Sequence, residues 1–308
     1  MMAQNTWTLH ALIEAYEQDQ QRTRGLRTRT LRGYVYIVRQ FVRTILGTDP
    51  IDLTRLTPSG VVQFIASVQQ RFCPASMKTV ATSLRSFFRF LQLKDLCSAR
   101  LAAAVPTVAC PRLATLPRGL SDEQHERLVT SLGVERPCGR RDRAMVLCLA
   151  TLGLRPGELA QLSLDDIDWR AGTVQLRTRK TGRGALLPLP GEVGRSLVEY
   201  LRKERPATRE RRVFVRHTPT ERRGEAITSS IVTGAVIRAL RRAGIDAPIS
   251  GAYVLRHTVA SRMVRRGTSL KEVADFLGHR SLETTAIYAK VDLPALRGVA
   301  LPWPQTTP

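Results

Sequence analysis

At 308 residues with 43% apolar content, the chain is long enough for two ordinary domains, each with its own core, which excludes disorder as the default. Its formal charge of +22 exceeds what solubility requires and points to a polyanionic partner. No apolar run approaches the roughly 18 residues that span a bilayer, no signal peptide opens the chain, and five cysteines without paired or C-x-x-C spacing argue against disulfides and zinc, so a cytoplasmic protein without metal is expected.

Residues 1–100 carry 14 Lys+Arg against 6 Asp+Glu, and the remainder 34 against 20. Both parts are basic, as two domains that clamp one duplex would be. The first hundred residues read as helices throughout, with no convincing period-2 segment. Leu31, Tyr34, Val35, Val38, Phe41, Val42 and Ile45 recur at three and four, and so do Val80, Leu84, Phe87, Phe88 and Leu91. Pro50 and Pro58 punctuate the interval, a shorter helix runs from about 60 to 69, and another lies near the N-terminus. Pro106, Pro111 and Pro117 sit in the weakly periodic stretch 102–119, which reads as a linker between a helical domain of residues 1–101 and a second domain of residues 120–293. Residues 294–308, with Trp303, form a C-terminal tail.

Ser121 with Gln124 is a capping-box pattern that starts a helix, and 140–153 is a strongly apolar one. Thr173 to Arg179 and Ala185 to Leu189 alternate as two strands, with Lys180-Thr181-Gly182-Arg183 as the turn of a hairpin. From Glu225 onward the pattern is helical again, with a capping box at Ser269 and Glu272 and a weaker cap at Ser281 that restarts helix and carries Tyr288 about two turns on. The expected fold class is mainly α with a small antiparallel β-sheet.

Five reactive residues stand out in the second domain. In Gly153-Leu154-Arg155-Pro156-Gly157-Glu158-Leu159, proline suits the first helical position, so Arg155 lies at a helix N-terminus, a setting that favours an anion. Lys180 is one of only six lysines among 48 basic residues, and lysine, unlike arginine, can act as a general acid when neighbouring cations lower its pKa. Arg256 could join Arg155 to grip both non-bridging oxygens of a phosphate. Tyr253, three residues earlier, shares its helical face, whereas His257 points elsewhere and reads as structural. Gly278 ends a helix, and His279 follows in the loop ahead of Tyr288. A tyrosine is a weak nucleophile, with a free pKa of about 10, and needs such helpers.

In this order the residues resemble the tyrosine recombinases, also called the phage-integrase family. The resemblance rests on Leu154-Arg155-Pro156-Gly157-Glu158-Leu159, Lys180 eight residues before Pro188, Arg256, Leu277-Gly278-His279, and Tyr288 nine residues beyond the histidine, over roughly residues 121 to 292. It implies a helical, SAM-like core-binding domain followed by an α+β catalytic domain. It also implies attack by Tyr288 on double-stranded DNA to give a 3′-phosphotyrosine, with Arg155, Arg256, His279 and Tyr253 stabilising the transition state and Lys180 protonating the leaving oxygen. No cofactor is implied. The partners implied are DNA and a homo-oligomer, a tetramer, or a hetero-assembly with a related recombinase, on a mobile element. One position departs: Tyr253 stands where the family most often has histidine. A type IB topoisomerase and an inactive DNA-binding regulator on the same scaffold are the competing readings. An RNA-binding protein would account for the charge but not for the ordered motifs.

Overall fold

The computed structural model describes residues 6–26, 28–98, 100–108, 117–176, 184–249, 251–279 and 281–291. Contacts divide the chain into two compact units, Met1–Ala114 and Thr115–Pro308.

In the first unit a two-residue strand β1 (Thr6–Trp7) leads into α1 (Leu9–Arg24) and α2 (Thr28–Leu46). Strand β2 (Ile51–Asp52), α3 (Pro58–Gln69), α4 (Pro74–Leu93) and the single turn α5 (Arg100–Ala103) follow. The β1–β2 pairing, Trp7 opposite Ile51, corrects the all-helical expectation. Two residues are too few for an alternation to show in sequence. Thr8 caps α1 by accepting the Ala11 N–H, and Thr57 caps α3 ahead of Pro58, each satisfying one donor that a helix start leaves open. The spaced apolar residues of α2 and α4 become the core. Phe41 meets Phe64 and Phe88 edge-to-face at 5.2 and 5.4 Å, and Tyr16 meets Phe87 at 5.5 Å. Each such fully buried ring contributes about 1.5–3 kcal/mol. The Tyr16 hydroxyl donates to Ser86 (3.1 Å), which donates to Gln20 Oε1 (2.7 Å), so the polar groups in this core are paired.

The second unit begins with α6 (Asp122–Thr130), α7 (Gly139–Leu152) and α8 (Pro156–Gln161). Strands β3 (Ile167–Asp168), β4 (Thr173–Leu176) and β5 (Ala185–Pro188) come next, then α9 (Gly191–Lys203), α10 (Ser229–Arg242), α11 (Tyr253–Arg265) and α12 (Leu270–Leu277). Two 3₁₀ segments, Leu282–Thr284 and Ala286–Val291, end the described chain. The Ser121–Gln124 capping box forms as expected, with reciprocal bonds of 3.1 and 3.0 Å. Helix α7 is buried almost all round and packs against α9, α10 and α11, which is why its run from Ala144 to Ala150 is apolar without a break. Strands β4 and β5 pair antiparallel from Thr173 opposite Pro188 to Leu176 opposite Ala185, and β3 adds a third strand beside β4. The hairpin turn, Lys180 included, lies outside the described residues.

Two elements differ from expectation. Helix α9 was not anticipated, because Gly191 and Gly194 dilute its propensity although Val193, Leu197 and Tyr200 form its buried side. Beyond Ser281 the chain winds as 3₁₀, not α. Ser281 does cap it by accepting the Glu283 N–H at 3.1 Å, but Thr285 N bonds to Leu282 O and Tyr288 N to Thr285 O, the i→i+3 pattern of the tighter helix. Among the described residues no helix is long and apolar enough to cross a membrane.

Candidate active site

Helix α7 stops at Gly153, whose φ of +60° lets its N–H return to Leu149 O at 3.1 Å. Two residues on, Arg155 precedes the first turn of α8, with Pro156 in that turn, where its missing N–H costs nothing. Arg155 does stand at a helix start, and a carboxylate joins it there. Glu158, itself buried, folds back so that Oε2 accepts the Arg155 N–H (2.9 Å) and Oε1 accepts Arg155 Nη1 (2.6 Å). The carboxylate occupies the backbone donor and aims the guanidinium.

Arg155 Nη2 donates to Gly278 O at 3.2 Å. Arg256, buried on α11, donates Nη1 to Gly153 O at 2.8 Å and Nη2 to Leu277 O at 2.7 Å. Leu277 and Gly278 close α12, where the last carbonyls lack helical partners and carry the negative end of the helix dipole. Two guanidiniums from separate helices thus converge on consecutive carbonyls immediately before His279. Planar forks so placed suit one phosphate bound from two sides.

Gly278, at φ +64°, turns the chain out of α12, and the His279 N–H returns to Ala274 O at 2.9 Å. The His279 ring is held by Nδ1, 2.7 Å from the hydroxyl of the fully buried Thr285. Thr285 is a site residue that sequence reasoning passed over. Tyr253 opens α11 and is 53% exposed, whereas Arg256 one turn later is 6% exposed. The shared helical face therefore passes from solvent to core within a turn.

Tyr288 packs into a small apolar cluster with Ala260, Val264, Val273 and Leu277 and is 2% exposed. Burial pushes its phenol up to about 12, with the charge of Arg256 acting the other way. The phenolic oxygen lies 2.8 Å from Nδ1 of His257, with ring centroids 5.8 Å apart. Helical spacing turns His257 off the Arg256 face and predicts a structural role, yet its ring touches the tyrosine hydroxyl. Burial, Arg256 and Arg118 hold its imidazole below the usual value, so it is neutral near pH 7. The signal available in sequence was its place in a helix buried on several sides, where an imidazole needs a partner. Helix α11 is itself pinned by Thr258, whose hydroxyl accepts the Leu120 N–H and donates to Val254 O, both at 2.8 Å.

The structure therefore brings Arg155, Arg256 and His279 around the end of α12, with Tyr288 in charge reach of Arg256. Among the described residues no group of three or more histidine, cysteine or carboxylate side chains could hold a metal ion.

Both units of the chain match known proteins. Residues 118–293 match the model of the phage integrase family, and residues 13–94 match that of the phage integrase N-terminal SAM-like domain. A Sinorhizobium fredii protein named integrase/recombinase y4rA is 42% identical over 294 residues, which cover 95% of this chain and 70% of that protein. The tyrosine recombinase XerD of Listeria monocytogenes is 31% identical over 90% of this chain and 92% of its own. The lambda integrase tetramer bound to a Holliday junction shares the fold, with a TM-score of 0.71 at 20% identity over 98% of this chain and 81% of that one.

Proposed function

This chain belongs to the phage integrase family, and we propose that it is a site-specific DNA recombinase that cleaves and rejoins strands through a 3′-phosphotyrosine at Tyr288. The observation that carries this reading is the convergence of Arg155 and Arg256 on Leu277 O and Gly278 O beside His279. A scissile phosphate that exchanges places with those carbonyls would meet Nη2 of Arg155 and Nη2 of Arg256. Arg155 and Arg256 then neutralise the charge of the pentavalent transition state, His279 and Tyr253 add hydrogen bonds, and Lys180 protonates the departing 5′-oxygen. Because the phosphotyrosine retains a phosphoester of similar energy, a 5′-hydroxyl from another strand reverses the step without ATP. The arginines supply the charge neutralisation that a metal supplies in other phosphoryl transfers.

The substrate is double-stranded DNA, and the working form is an oligomer on that DNA, a tetramer of this chain or an assembly with a related recombinase. The tetrameric lambda integrase complex supports this by analogy of fold. The two basic regions, 1–101 and 120–293, act as core-binding and catalytic domains joined by the linker 102–119. The protein works in the cytoplasm, on the DNA of a mobile element.

The test is a suicide substrate nicked close to the cleavage point, which traps the covalent adduct. The native chain should form a protein–DNA adduct, and Tyr288→Phe should form none while binding DNA normally. An adduct with Tyr288→Phe would refute the nucleophile. A DNA-binding regulator would give no adduct with either. Relaxation of supercoiled plasmid without exchange between duplexes would favour a topoisomerase. Replacing Lys180 should matter much less on DNA with a 5′-bridging sulfur, whose leaving thiolate needs no proton.

A further inference from the structure

The hydrogen bond between Tyr288 and His257 gives the nucleophile a partner that none of the expected site residues supplies. At 2.8 Å from phenolic oxygen to Nδ1, it has the geometry of a nucleophile paired with a base. A phenol is the stronger donor and an unprotonated imidazole nitrogen the stronger acceptor, so the O–H donates to Nδ1, and the imidazole carries its own hydrogen on Nε2.

We propose that His257 is the proton acceptor for strand cleavage: as the Tyr288 oxygen bonds to phosphorus, its proton passes to Nδ1 of His257. In the same step the bond from phosphorus to the 5′-oxygen breaks, and that oxygen takes a proton from the general acid assigned above to Lys180. In rejoining, the 5′-hydroxyl displaces the tyrosine and the His257 imidazolium returns its proton to the phenolate. No oxidant, metal or nucleotide enters the balance. The inference rests on Tyr288 being the nucleophile, and it makes His257 a catalytic residue in the strict sense, because it touches the reacting atom.

The surroundings favour this role. Tyr253, at the family's usual histidine position, is a phenol and cannot take up a proton at neutral pH. With the Tyr288 hydroxyl pushed up to about 12 by burial, only about one molecule in 10⁵ would hold phenolate at pH 7 without an acceptor. The charged or titratable groups that act on His257 are Arg256 from its own helix, Arg118 from the segment before α6, and Tyr288 from the last 3₁₀ segment. Among the described residues none is a carboxylate, so the ring is neutral and ready to accept. A scissile phosphate bound at Arg256 brings negative charge next to the ring and raises its proton affinity at the moment of attack.

The experiment is single-turnover cleavage of a suicide substrate by the full chain from about pH 5.5 to 9.5, with DNA affinity and thermal melting measured alongside. His257→Asn places an oxygen or nitrogen near the Nδ1 position, so it can hold the phenol but cannot take its proton. The expected result is a cleavage loss of roughly 10²–10⁴-fold at pH 7 with DNA affinity unchanged. That deficit should shrink about tenfold per pH unit as hydroxide takes over, while the native rate falls in acid as His257 is protonated and falls again in base as the general acid loses its proton. His257→Gly should regain part of the loss with added imidazole, and His257→Gln serves where His257→Asn melts early. Cleavage by His257→Asn within a few-fold of native, or with a parallel pH profile, would overturn the proposal and leave a positioning contact. Faster cleavage would also overturn it and make the bond a restraint. Failure of the Tyr288 assignment is read separately, as an adduct that survives Tyr288→Phe or is absent from the native chain.

Discussion

Glu158 holds Arg155 by both ends, one carboxylate oxygen on its backbone N–H at 2.9 Å and the other on Nη1 at 2.6 Å. The carboxylate is buried beside the turn it caps, so the pair is screened little by solvent, and charge-assisted bonds of this kind contribute about 1.5–3 kcal/mol each. Arg155 can therefore meet a phosphate without first being ordered. Glu158→Gln keeps the shape and one acceptor but loses the charge. We expect a fall in single-turnover cleavage of roughly 10–100-fold, with DNA affinity changed by no more than about threefold. Cleavage at the native rate would show that Arg155 is aimed by something other than Glu158.

Thr285 performs the same service for His279 through the 2.7 Å contact between its hydroxyl and Nδ1. Thr285→Val is close to isosteric and removes only the hydroxyl, which takes this orienting contact away from the half-buried His279 ring. A loss of one such bond, about 1–1.5 kcal/mol, predicts roughly a tenfold slower cleavage. Thr285→Ser, which restores the hydroxyl, should recover to within a few-fold. Equal rates for the valine and serine variants would remove the orienting role.

Much of this site was legible in sequence, and the parts that were not share a physical cause. The helices α2 and α4 could be read because burial of one face forces apolar residues to recur at three and four. Gly278 before His279 could be read because a left-handed stop selects glycine. The partners of the reactive side chains were hidden. Glu158 was visible only as an acidic residue in a first turn, Thr285 as one of two adjacent threonines, and His257 as the residue next to Arg256 on the wrong side of its helix. Helical spacing tells which residues share a face, but not which distant segment covers the next face. Tyr288 reaches His257 across 31 residues because the chain leaves α12 at Gly278 and returns as 3₁₀. That path depends on several weak local preferences and left no periodic trace.

Gly153 carries a second duty that its φ of +60° does not exhaust. A Cβ there would lie 2.8 Å from Leu277 Cδ2 and 3.3 Å from Val259 Cγ1, and the Gly153 carbonyl accepts Arg256 Nη1. Gly153→Ala must therefore strain a left-handed backbone, at about 1–2 kcal/mol, and also push the end of α12 away from the two arginines. Gly172 is the control, because its φ is +63° and nothing lies within 4 Å of its added Cβ. Gly172→Ala should lower the melting temperature by roughly 2–6 °C and leave cleavage unchanged. Gly153→Ala should lower it further and also slow cleavage by at least about tenfold. If the two variants melt alike and cleave alike, the packing of Gly153 against Leu277 has no functional weight.

The acid sensitivity of the fold should be set largely by His217. Its ring stacks on Tyr200 at 6.0 Å with an 18° tilt, and its buried Nε2 has no hydrogen-bond partner among the described residues. Burial, reinforced by Arg141 and Arg223, lowers its pKa from 6.5 to about 4. In the unfolded chain the imidazole takes up a proton near 6.5, whereas in the folded chain it does so only near 4. Between those values the unfolded state binds more protons, so stability is complete above about pH 6.5 and declines as the pH falls toward 4. His125 and His257 are shifted downward too, also by burial first, and add to the same slope. Thermal melting of the full chain should therefore fall steadily from pH 7 to pH 4.5. His217→Phe keeps the stack on Tyr200 but cannot be protonated, so its melting temperature should fall less over the same range. Parallel curves for the two proteins would mean that His217 takes up its proton at the same pH in the folded and unfolded chains.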